Sequence, residues 1–406
     1  MKILMLLNSR YPDDIRVRKE AISIISAGFE VYLLCLREKN QLSEEVIDGI
    51  TILRVNAGKN LYSLAFWDVV MSVFFVHPIF YLTSKTIIKQ LNINLIHVHD
   101  LPLVGTALRL RKDNSNMKVI FDMHENYPEA LPLWFAWKKG LIVRLKNKLF
   151  MNTHRWLKWE AKAVAGSDKI ITVVDEMKQN IQLKYPAAGN KVVVVSNTES
   201  IDFTKSELDP SVYSDFKGKF ILAYVGGLGP HRGIDTAIEG MKYLNSPIIL
   251  IIVGGGSNDA SQELKKQIRS LKLENQVFVL GSKPFAKVFS YMKMADVNVI
   301  PHKINSQNQF GVPHKLFQSM MTSNPVLVSS CNPLKRIITS TNSGLVFNAG
   351  NPKDFASKVD QLYNNLSLRK ELGINGYIQS TSGEFGWQHS ASNLIDIYRN
   401  KSASNP

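Results

Sequence analysis

Three tripeptides in the second half of the chain combine a proline, a histidine and a cation, and each follows an expected strand or opens a helix. They are Pro230-His231-Arg232, Pro301-His302-Lys303 and Pro313-His314-Lys315. Positive charge at the start of a helix opposes the helix dipole, at a cost of about 0.3–1 kcal/mol. Chance or capping could explain one such loop. Three cationic loops in one half of the chain favour a polyanionic ligand such as a nucleotide diphosphate.

The first of these tripeptides lies in a glycine-rich stretch, YVGGLGPHRGID (224–235), that reads as a strand, a turn and a helix start. Gly226, Gly227 and Gly229 let the backbone approach a ligand closely, and free N–H groups at the helix start suit a phosphate. The stretch is not a dinucleotide fingerprint, because Arg232 stands at the third glycine position. A tight βα turn is the alternative interpretation of the glycines, and Arg232 adds weight to an anion site.

Histidines and carboxylates mark two expected strand ends in the first half. IHVHDLP (96–102) places His97 and His99 on one face of a strand, with Asp100 beside them. The next strand end carries Asp122, His124 and Glu125. A His-x-His pair can ligate a metal, or it can be a polar strand end facing a cleft. Because one strand must donate both histidines and no further ligand signature appears, we expect no metal here.

Two aspartates follow the first expected strand, in SRYPDDIRVRKE (9–20). A carboxylate of Asp13 or Asp14 near a cleft could bind sugar hydroxyls. The alternative is that Asp14 caps the helix that begins directly after it.

The elements that position these residues alternate between strand and helix along the chain. Continuous apolar runs of β-branched residues are typical of parallel strands buried on both faces. The pattern loses its periodicity near residues 198–218 and then restarts. Two successive βα series predict two doubly wound Rossmann-like α/β domains, whose ligands bind beyond the C-terminal ends of the strands. The cleft between two such domains is the expected site.

Composition agrees with a two-domain enzyme. The chain has 406 residues, of which 45% are hydrophobic and 20% charged, as in globular enzymes. The only cysteines, Cys35 and Cys331, fall in different expected domains, so a disulfide is not expected and a reducing compartment fits. No secretory signal is recognised, and we expect a cytoplasmic location.

The net charge of +15 is spread over both halves, with one local concentration. Residues 134–162 hold eight Lys and Arg side chains and four of the six tryptophans. This mixture favours peripheral association with an anionic membrane surface, and a solvated helix with inward-packed aromatics is the alternative. Nucleic acid is not expected, because no binding motif accompanies the charge. The most apolar stretch, 63–85, predicts a buried or interfacial helix, since its uninterrupted runs are too short to span a bilayer.

The order of motifs resembles the family-4 retaining glycosyltransferases of the GT-B fold along nearly the whole chain. The motifs are YPDDIRVRKEA, HVHD, FDMHENYPE, YVGGLGPHRGID, ADVNVIPH (295–302), PHKLFQSMMTSNPVLVSS (313–330) and the closing FGW…LIDIY (385–398). Order and spacing carry the resemblance, more than any one motif. It implies an acceptor domain over residues 1–200, a donor domain over 201–385, and a last helix over 386–406 that returns toward the first domain.

The resemblance also implies an activity and its residues. A sugar would pass from a nucleotide-sugar to a lipid-linked or saccharide acceptor in surface polysaccharide synthesis, with retention and without a cofactor or essential metal. Arg232 and Lys315 would neutralise the leaving diphosphate, and His124 would contact the reacting sugar. The donor-binding set would be Gly226, Gly227, Gly229, His231, Gly281, Lys283, His302, Gly311, Val312, His314 and Gln318, with GSKPF (281–285) facing the nucleobase. The acceptor-side set would be Asp13, Asp14, His99, Asp100 and Glu125.

Two departures from the family pattern bear on the donor. Many members carry Arg where this chain has Gly227, so His231 or Lys303 would have to substitute. Many also carry two glutamates where this chain has Phe310 and Gln318, and glutamine lacks the charge-assisted strength of a carboxylate. Three alternatives therefore stay open. They are a GT-B epimerase or phosphorylase, a metallohydrolase using His97, His99 and His124, and a non-catalytic binding protein.

Overall fold

The computed structural model describes residues 1–56, 61–135 and 150–402, and the chain divides into two compact units. Unit 1 comprises Met1–Val195 and Ala391–Pro406, and unit 2 comprises Ser196–Ser390. The first division lies a few residues before the expected boundary at residue 200. The second lies within the last helix, whose C-terminal part belongs to unit 1.

Unit 1 contains an eight-stranded sheet of strand order β3-β4-β2-β1-β5-β6-β7-β8. All neighbouring pairs are parallel except β3 with β4. The strands are β1 Lys2–Leu7, β2 Glu30–Leu36, β3 Glu44–Ile47, β4 Ile50–Val55, β5 Leu95–His99, β6 Lys118–Met123, β7 Lys169–Thr172 and β8 Val192–Val194. The sequence reading missed β3, because this short edge strand buries none of its residues and carries no apolar run.

The helices of unit 1 cover this sheet. They are α1 Ile15–Ser26, α2 Leu61–Phe74, α3 Pro78–Leu91, α4 Val104–Asp113, α5 Tyr127–Phe135, α6 Thr153–Gly166 and α7 Asp175–Lys184. Asp14 caps α1 through its carboxylate, which accepts from the N–H groups of Arg16 and Val17. The apolar stretch 63–85 forms two helices rather than one, because Pro78 starts a new helix that His77 caps.

Among the described residues, no single helix has both the length and the apolar character needed to cross a membrane. Phe66–Phe74 and Pro78–Leu91 meet that requirement only when counted together, and they are bent by 76°.

The basic segment 134–162 is described only in part, since residues 136–149 lie outside the described ranges. On α6 the Trp156 side chain is fully buried, and the Trp159 ring stacks on Phe75 with 4.5 Å between ring centroids. These two tryptophans therefore pack against other residues of unit 1.

Unit 2 contains a six-stranded parallel sheet of strand order β11-β10-β9-β12-β13-β14. Its strands are β9 Phe220–Val225, β10 Ile248–Val253, β11 Val277–Gly281, β12 Val297–Ile300, β13 Val326–Ser329 and β14 Gly344–Phe347. Its helices are α8 Ile234–Gly240, α9 Asn258–Ser270, α10 Val288–Lys293, α11 Ser306–Gln309, α12 Lys315–Met320, α13 Asn332–Thr341, α14 Pro352–Tyr363 and α15 Leu366–Thr381, followed by α16 Trp387–Ser402. Every residue of β9 and β10 is buried, as the apolar runs predicted.

The strand order determines where each unit can bind a ligand. In unit 2 the winding direction reverses between β9 and β12, and in unit 1 it reverses between β1 and β5. Loops after the two strands at such a point diverge and leave a crevice at their C-terminal ends. The glycine-rich turn follows β9 and the His302 loop follows β12, so both border the crevice of unit 2. The prediction of two doubly wound parallel sheets is confirmed.

Candidate functional site: a buried cationic pocket in unit 2

The side chain of Lys315 is the centre of this site. It extends from the first residue of α12 to the turn after β9, where its Nζ lies 3.9 Å from the centroid of the Tyr224 ring. The Nζ is buried and has no hydrogen-bond partner among the described residues. Burial, and then the charge of Arg232, holds the pKa of Lys315 well below its ordinary value. A buried amine without an acceptor is costly, and a bound anion would supply that acceptor.

Arg232 and two histidines line the same crevice. An Arg232 guanidinium nitrogen lies 3.3 Å from His302 Nε2, and His302 is almost completely buried. Burial, Arg232 and Lys315 together hold the pKa of His302 well below its ordinary value. The same three causes lower the pKa of His231 to about 4. Both imidazoles are therefore neutral near pH 7, and Arg232 is the fixed positive charge of the group.

Glycines allow the lysine to reach this position. A Cβ on Gly226 would lie 2.5 Å from Lys315 Nζ, and the residue has a φ of +142°. A Cβ on Gly233 would lie 1.9 Å from the Pro301 carbonyl oxygen, so the turns after β9 and β12 are in contact. Gly227 differs, because its nearest neighbour would be the Gly255 carbonyl oxygen at 3.9 Å. The missing side chain at residue 227 therefore leaves open space.

Gln318, at the position where many family members carry glutamate, contacts the carboxylate of Glu199. Its Nε2 donates to Glu199 Oε2 over 2.9 Å, and His314 Nε2 lies 3.3 Å from the same oxygen. Glu199 and Gln318 are 4% and 5% exposed. A carboxylate is thus present beside residue 318, supplied from a distant part of the chain. The sequence reading missed Glu199, since nothing in SNTES (196–200) marks it as a ligand.

The remaining donor-side predictions spread around the pocket. Lys303 forms an ion pair with Asp235 at 2.6 Å. Lys283 is exposed. Gly281, with a φ of +72°, ends β11. Its carbonyl oxygen accepts a hydrogen bond from the Gly254 N–H over 2.9 Å. Gly311 and Val312 precede α12, which begins at Lys315 and thus two residues later than the Pro313 start that the sequence suggested.

The histidines predicted in unit 1 form one buried network. His124 Nε2 lies 2.8 Å from Asp122 Oδ2 and 3.2 Å from His99 Nδ1. His124 Nδ1 lies 3.5 Å from Asp100 Oδ2. Burial disfavours the charged imidazole, yet Asp122 and Asp100 outweigh burial and hold the pKa of His124 well above its ordinary value. His124 is therefore a charged imidazolium held between two carboxylates.

The other predicted residues of unit 1 differ in exposure. His97 and His99 are 0% and 1% exposed, so both imidazoles are buried. Asp13 is exposed and Glu125 is half-buried. Two residues that the sequence reading missed complete the network. Glu20 on α1 is buried beside His99, and the Tyr398 hydroxyl on α16 lies 2.6 Å from His97 Nδ1.

Two family models match successive parts of the chain. The model described as Glycosyltransferase Family 4 matches residues 17–198, and the model described as Glycosyl transferases group 1 matches residues 206–379. An uncharacterized glycosyltransferase of Methanocaldococcus jannaschii is 27% identical over 321 residues, or 78% of each chain. The capsular polysaccharide biosynthesis glycosyltransferase CapM of Staphylococcus aureus is 22% identical over 227 residues, covering 53% of this chain and 58% of CapM.

Solved structures resemble the whole chain. A sucrose-phosphate synthase from Thermosynechococcus elongatus has a TM-score of 0.79 at 16% identity, with full coverage of both chains. Anabaena HepE, solved in complex with UDP, has a TM-score of 0.71 at 14% identity, again with full coverage of both chains. At such low identity these likenesses concern the fold, and they confirm the GT-B architecture.

Proposed function

Because the chain belongs to the group 1 and family 4 glycosyltransferases with the GT-B fold, we propose that it moves a sugar from a nucleotide-sugar donor to a lipid-linked or saccharide acceptor. The observation that carries this proposal is the buried Nζ of Lys315, which lacks a hydrogen-bond acceptor among the described residues and lies near Arg232. A nucleotide diphosphate would provide both charge and acceptor oxygens at that point.

The chemistry follows from where charge develops. When the bond between the sugar and the diphosphate breaks, negative charge grows on the leaving phosphate oxygen. Lys315 and Arg232 would stabilise that charge, and preorganised cations in a water-poor site act more strongly there than in water. We propose that the transfer retains the anomeric configuration. We also propose that it needs no metal at the diphosphate, because Arg232 and a Lys315 protonated by the bound diphosphate would supply the positive charge.

The donor, acceptor and location are proposed on weaker support. HepE was solved with UDP, which supports a uridine donor, and the name of CapM supports a surface polysaccharide as product. His124 of unit 1 would contact the transferred sugar, and Asp13 and Glu125 would lie on the acceptor side. We place the enzyme in the cytoplasm at the inner face of the membrane, with the basic segment 134–162 against anionic lipid.

A panel of nucleotide-sugars tests the proposal. Each of UDP-, GDP-, ADP- and dTDP-glucose is added to the full chain, and the thermal midpoint is measured. Specific binding raises the midpoint by mass action, so one nucleotide class should stand out. Arg232→Ala and Lys315→Ala should abolish that rise and lower turnover by orders of magnitude. Wild-type transfer rates in both variants would show that the diphosphate assignment is wrong.

Product analysis separates the alternative activities. Incubation with the stabilising nucleotide-sugar alone should leave the sugar configuration unchanged, whereas an epimerase would change it without any acceptor. Binding without transfer to any lipid-linked or saccharide acceptor would indicate a non-catalytic protein.

A further inference from the structure

A second set of chemically active side chains lies in unit 1 and has no part in the diphosphate chemistry. It consists of Glu20 on α1, His97 and His99 on β5, and Asp122 on β6. Their exposed fractions are 6%, 0%, 1% and 1%. One nitrogen or oxygen atom from each of the four lies within 4.8 Å of the corresponding atoms of the other three. The four residues are therefore close enough to share a single ligand.

Two of the distances within this set match the edges of a metal-centred tetrahedron. Bonds of about 2.0–2.1 Å from Zn²⁺ to nitrogen and oxygen imply edges of about 3.3–3.4 Å between ligand atoms. Asp122 Oδ2 lies 3.4 Å from His97 Nε2 and 3.3 Å from His99 Nδ1. Glu20 Oε2 lies 3.8 Å from His99 Nδ1. Small side-chain shifts would bring this last distance into range.

Two atoms that face the cluster lack a hydrogen bond. Glu20 Oε2 and His97 Nε2 are buried, and neither has a hydrogen-bond partner among the described residues. Burying a polar atom without a hydrogen-bond partner is costly. Because the ligand atoms of the four residues also lie within 4.8 Å of one another, one bound ion could contact both of these atoms.

The outer contacts of the ligands are those that metal-binding residues usually have. Tyr398 lies 2.6 Å from His97 Nδ1, so the Nδ1–H can donate to its hydroxyl and leave Nε2 unprotonated toward the cluster. His124 Nε2 lies 2.8 Å from Asp122 Oδ2 and can donate to that carboxylate. Such partners orient metal ligands and select the correct histidine tautomer.

The donor types of the cluster also suit a metal ion. Two buried carboxylates, those of Glu20 and Asp122, lie beside two buried imidazoles. This donor set suits Zn²⁺ among the common metals.

We propose that Glu20, His97, His99 and Asp122 bind one divalent transition-metal ion of the zinc type in a closed structural site. Four protein ligands and nearly complete burial leave no open position for substrate, which distinguishes this site from a catalytic one. The ion would join α1 to β5 and β6, and through Asp122 it would hold His124 in place. The sequence expectation of no metal relied on the absence of further ligands, and Glu20 is the ligand that it lacked.

The metal content of the full chain, purified without a histidine tag, tests the proposal. We expect about one zinc ion per chain by elemental analysis, and loss of that metal in both Glu20→Gln and His97→Gln. His154→Gln and His389→Gln, which alter exposed histidines outside the cluster, should keep it. Metal retained in both cluster variants, or zinc absent from the wild type with no change of thermal midpoint on adding Zn²⁺ or a chelator, would overturn the site.

A second measurement guards against variants that fail to fold. Metal-depleted wild-type protein is reconstituted with Co²⁺, and its visible absorption is recorded. The strong bands of tetrahedral Co²⁺ are expected. The weak spectrum of six-coordinate Co²⁺ would contradict the four-ligand site. Neither readout depends on glycosyl transfer, so failure of the proposed function and failure of the metal site can be told apart.

Discussion

The side-chain nitrogen Nζ of Lys315 lies over the face of the Tyr224 ring, 3.9 Å from the ring centroid. The described residues provide it with no hydrogen-bond acceptor. The site is therefore organised for an anion before the anion arrives.

Replacing Lys315 should weaken UDP binding without lowering the stability of the fold. Lys315→Met removes a buried amine that has no acceptor and keeps most of its apolar volume, so the thermal midpoint should stay the same or rise. UDP affinity should fall about 10- to 100-fold, which corresponds to a lost charge-assisted hydrogen bond of about 1.5–3 kcal/mol. Isothermal titration calorimetry measures the UDP affinity of the wild type, of Lys315→Met and of a control variant. Lys242→Met is the matched control, since Lys242 lies near the Tyr243 ring on the surface and its loss should not change UDP affinity.

When the nucleotide donor binds, Lys315 should take up a proton. In the free protein the pKa of Lys315 lies well below its ordinary value of about 10.4, because of burial and then Arg232. The unfolded chain binds this proton more readily, so this group makes the free fold more stable as pH rises toward that ordinary value. Bound diphosphate favours the ammonium form, and UDP affinity should therefore fall as pH rises above the pKa of Lys315 in the free protein.

Calorimetry in buffers of different ionisation enthalpy counts the protons taken up. At about pH 8 the phosphates of UDP are fully ionised, since the second phosphate pKa is about 6. His231 and His302 face the same crevice and could also take up protons, so the comparison with Lys315→Met is needed. Uptake that persists unchanged in Lys315→Met would assign it to the histidines and contradict this prediction.

The two adjacent glycines should respond oppositely to arginine. Gly227 has room for a side chain, because its Cβ would meet only the Gly255 carbonyl oxygen at 3.9 Å. Gly227→Arg should fold normally and bind UDP more tightly, since it adds the cation that many family members carry. Gly226→Arg should lower the thermal midpoint strongly, because its Cβ would lie 2.5 Å from Lys315 Nζ at a φ of +142°. Equal stability of the two variants would contradict the geometry of this turn.

Exchanging Gln318 and Glu199 together should preserve the stability of the fold, whereas introducing a second carboxylate at residue 318 alone should lower it. Gln318→Glu sets two buried carboxylates against each other and should destabilise the fold by about 1–3 kcal/mol near neutral pH. Lower pH should relieve part of this loss, since a protonated carboxyl can donate. The double exchange E199Q/Q318E restores one donor and one acceptor in reversed positions and should recover most of the stability. Denaturant unfolding of the wild type, both single variants and the double variant completes the cycle.

Local sequence signals were sufficient to identify the buried strands of both sheets. Runs such as FILAYV and IILIIV are apolar throughout, and burial on both faces of a parallel strand requires that composition. The Gly226 turn and the cationic tripeptides also fall at strand ends, where a strand–turn–helix reading places them. Edge strand β3 and the break before α3 were missed, because a short exposed strand and a histidine-capped proline start leave a weak apolar pattern.

The sequence alone could not predict which residues contact the site residues. Gln318 bonds to a residue 119 positions away, and His97 bonds to Tyr398, 301 positions away. The sequence by itself determined which strands are buried, which turns contain glycine, and where cations gather. The tertiary structure alone decided that Lys303 is neutralised by Asp235 while Lys315 is left without an acceptor among the described residues. The physical reason is that composition and periodicity act over a few residues, whereas burial and charge pairing depend on which distant segments the fold brings into contact.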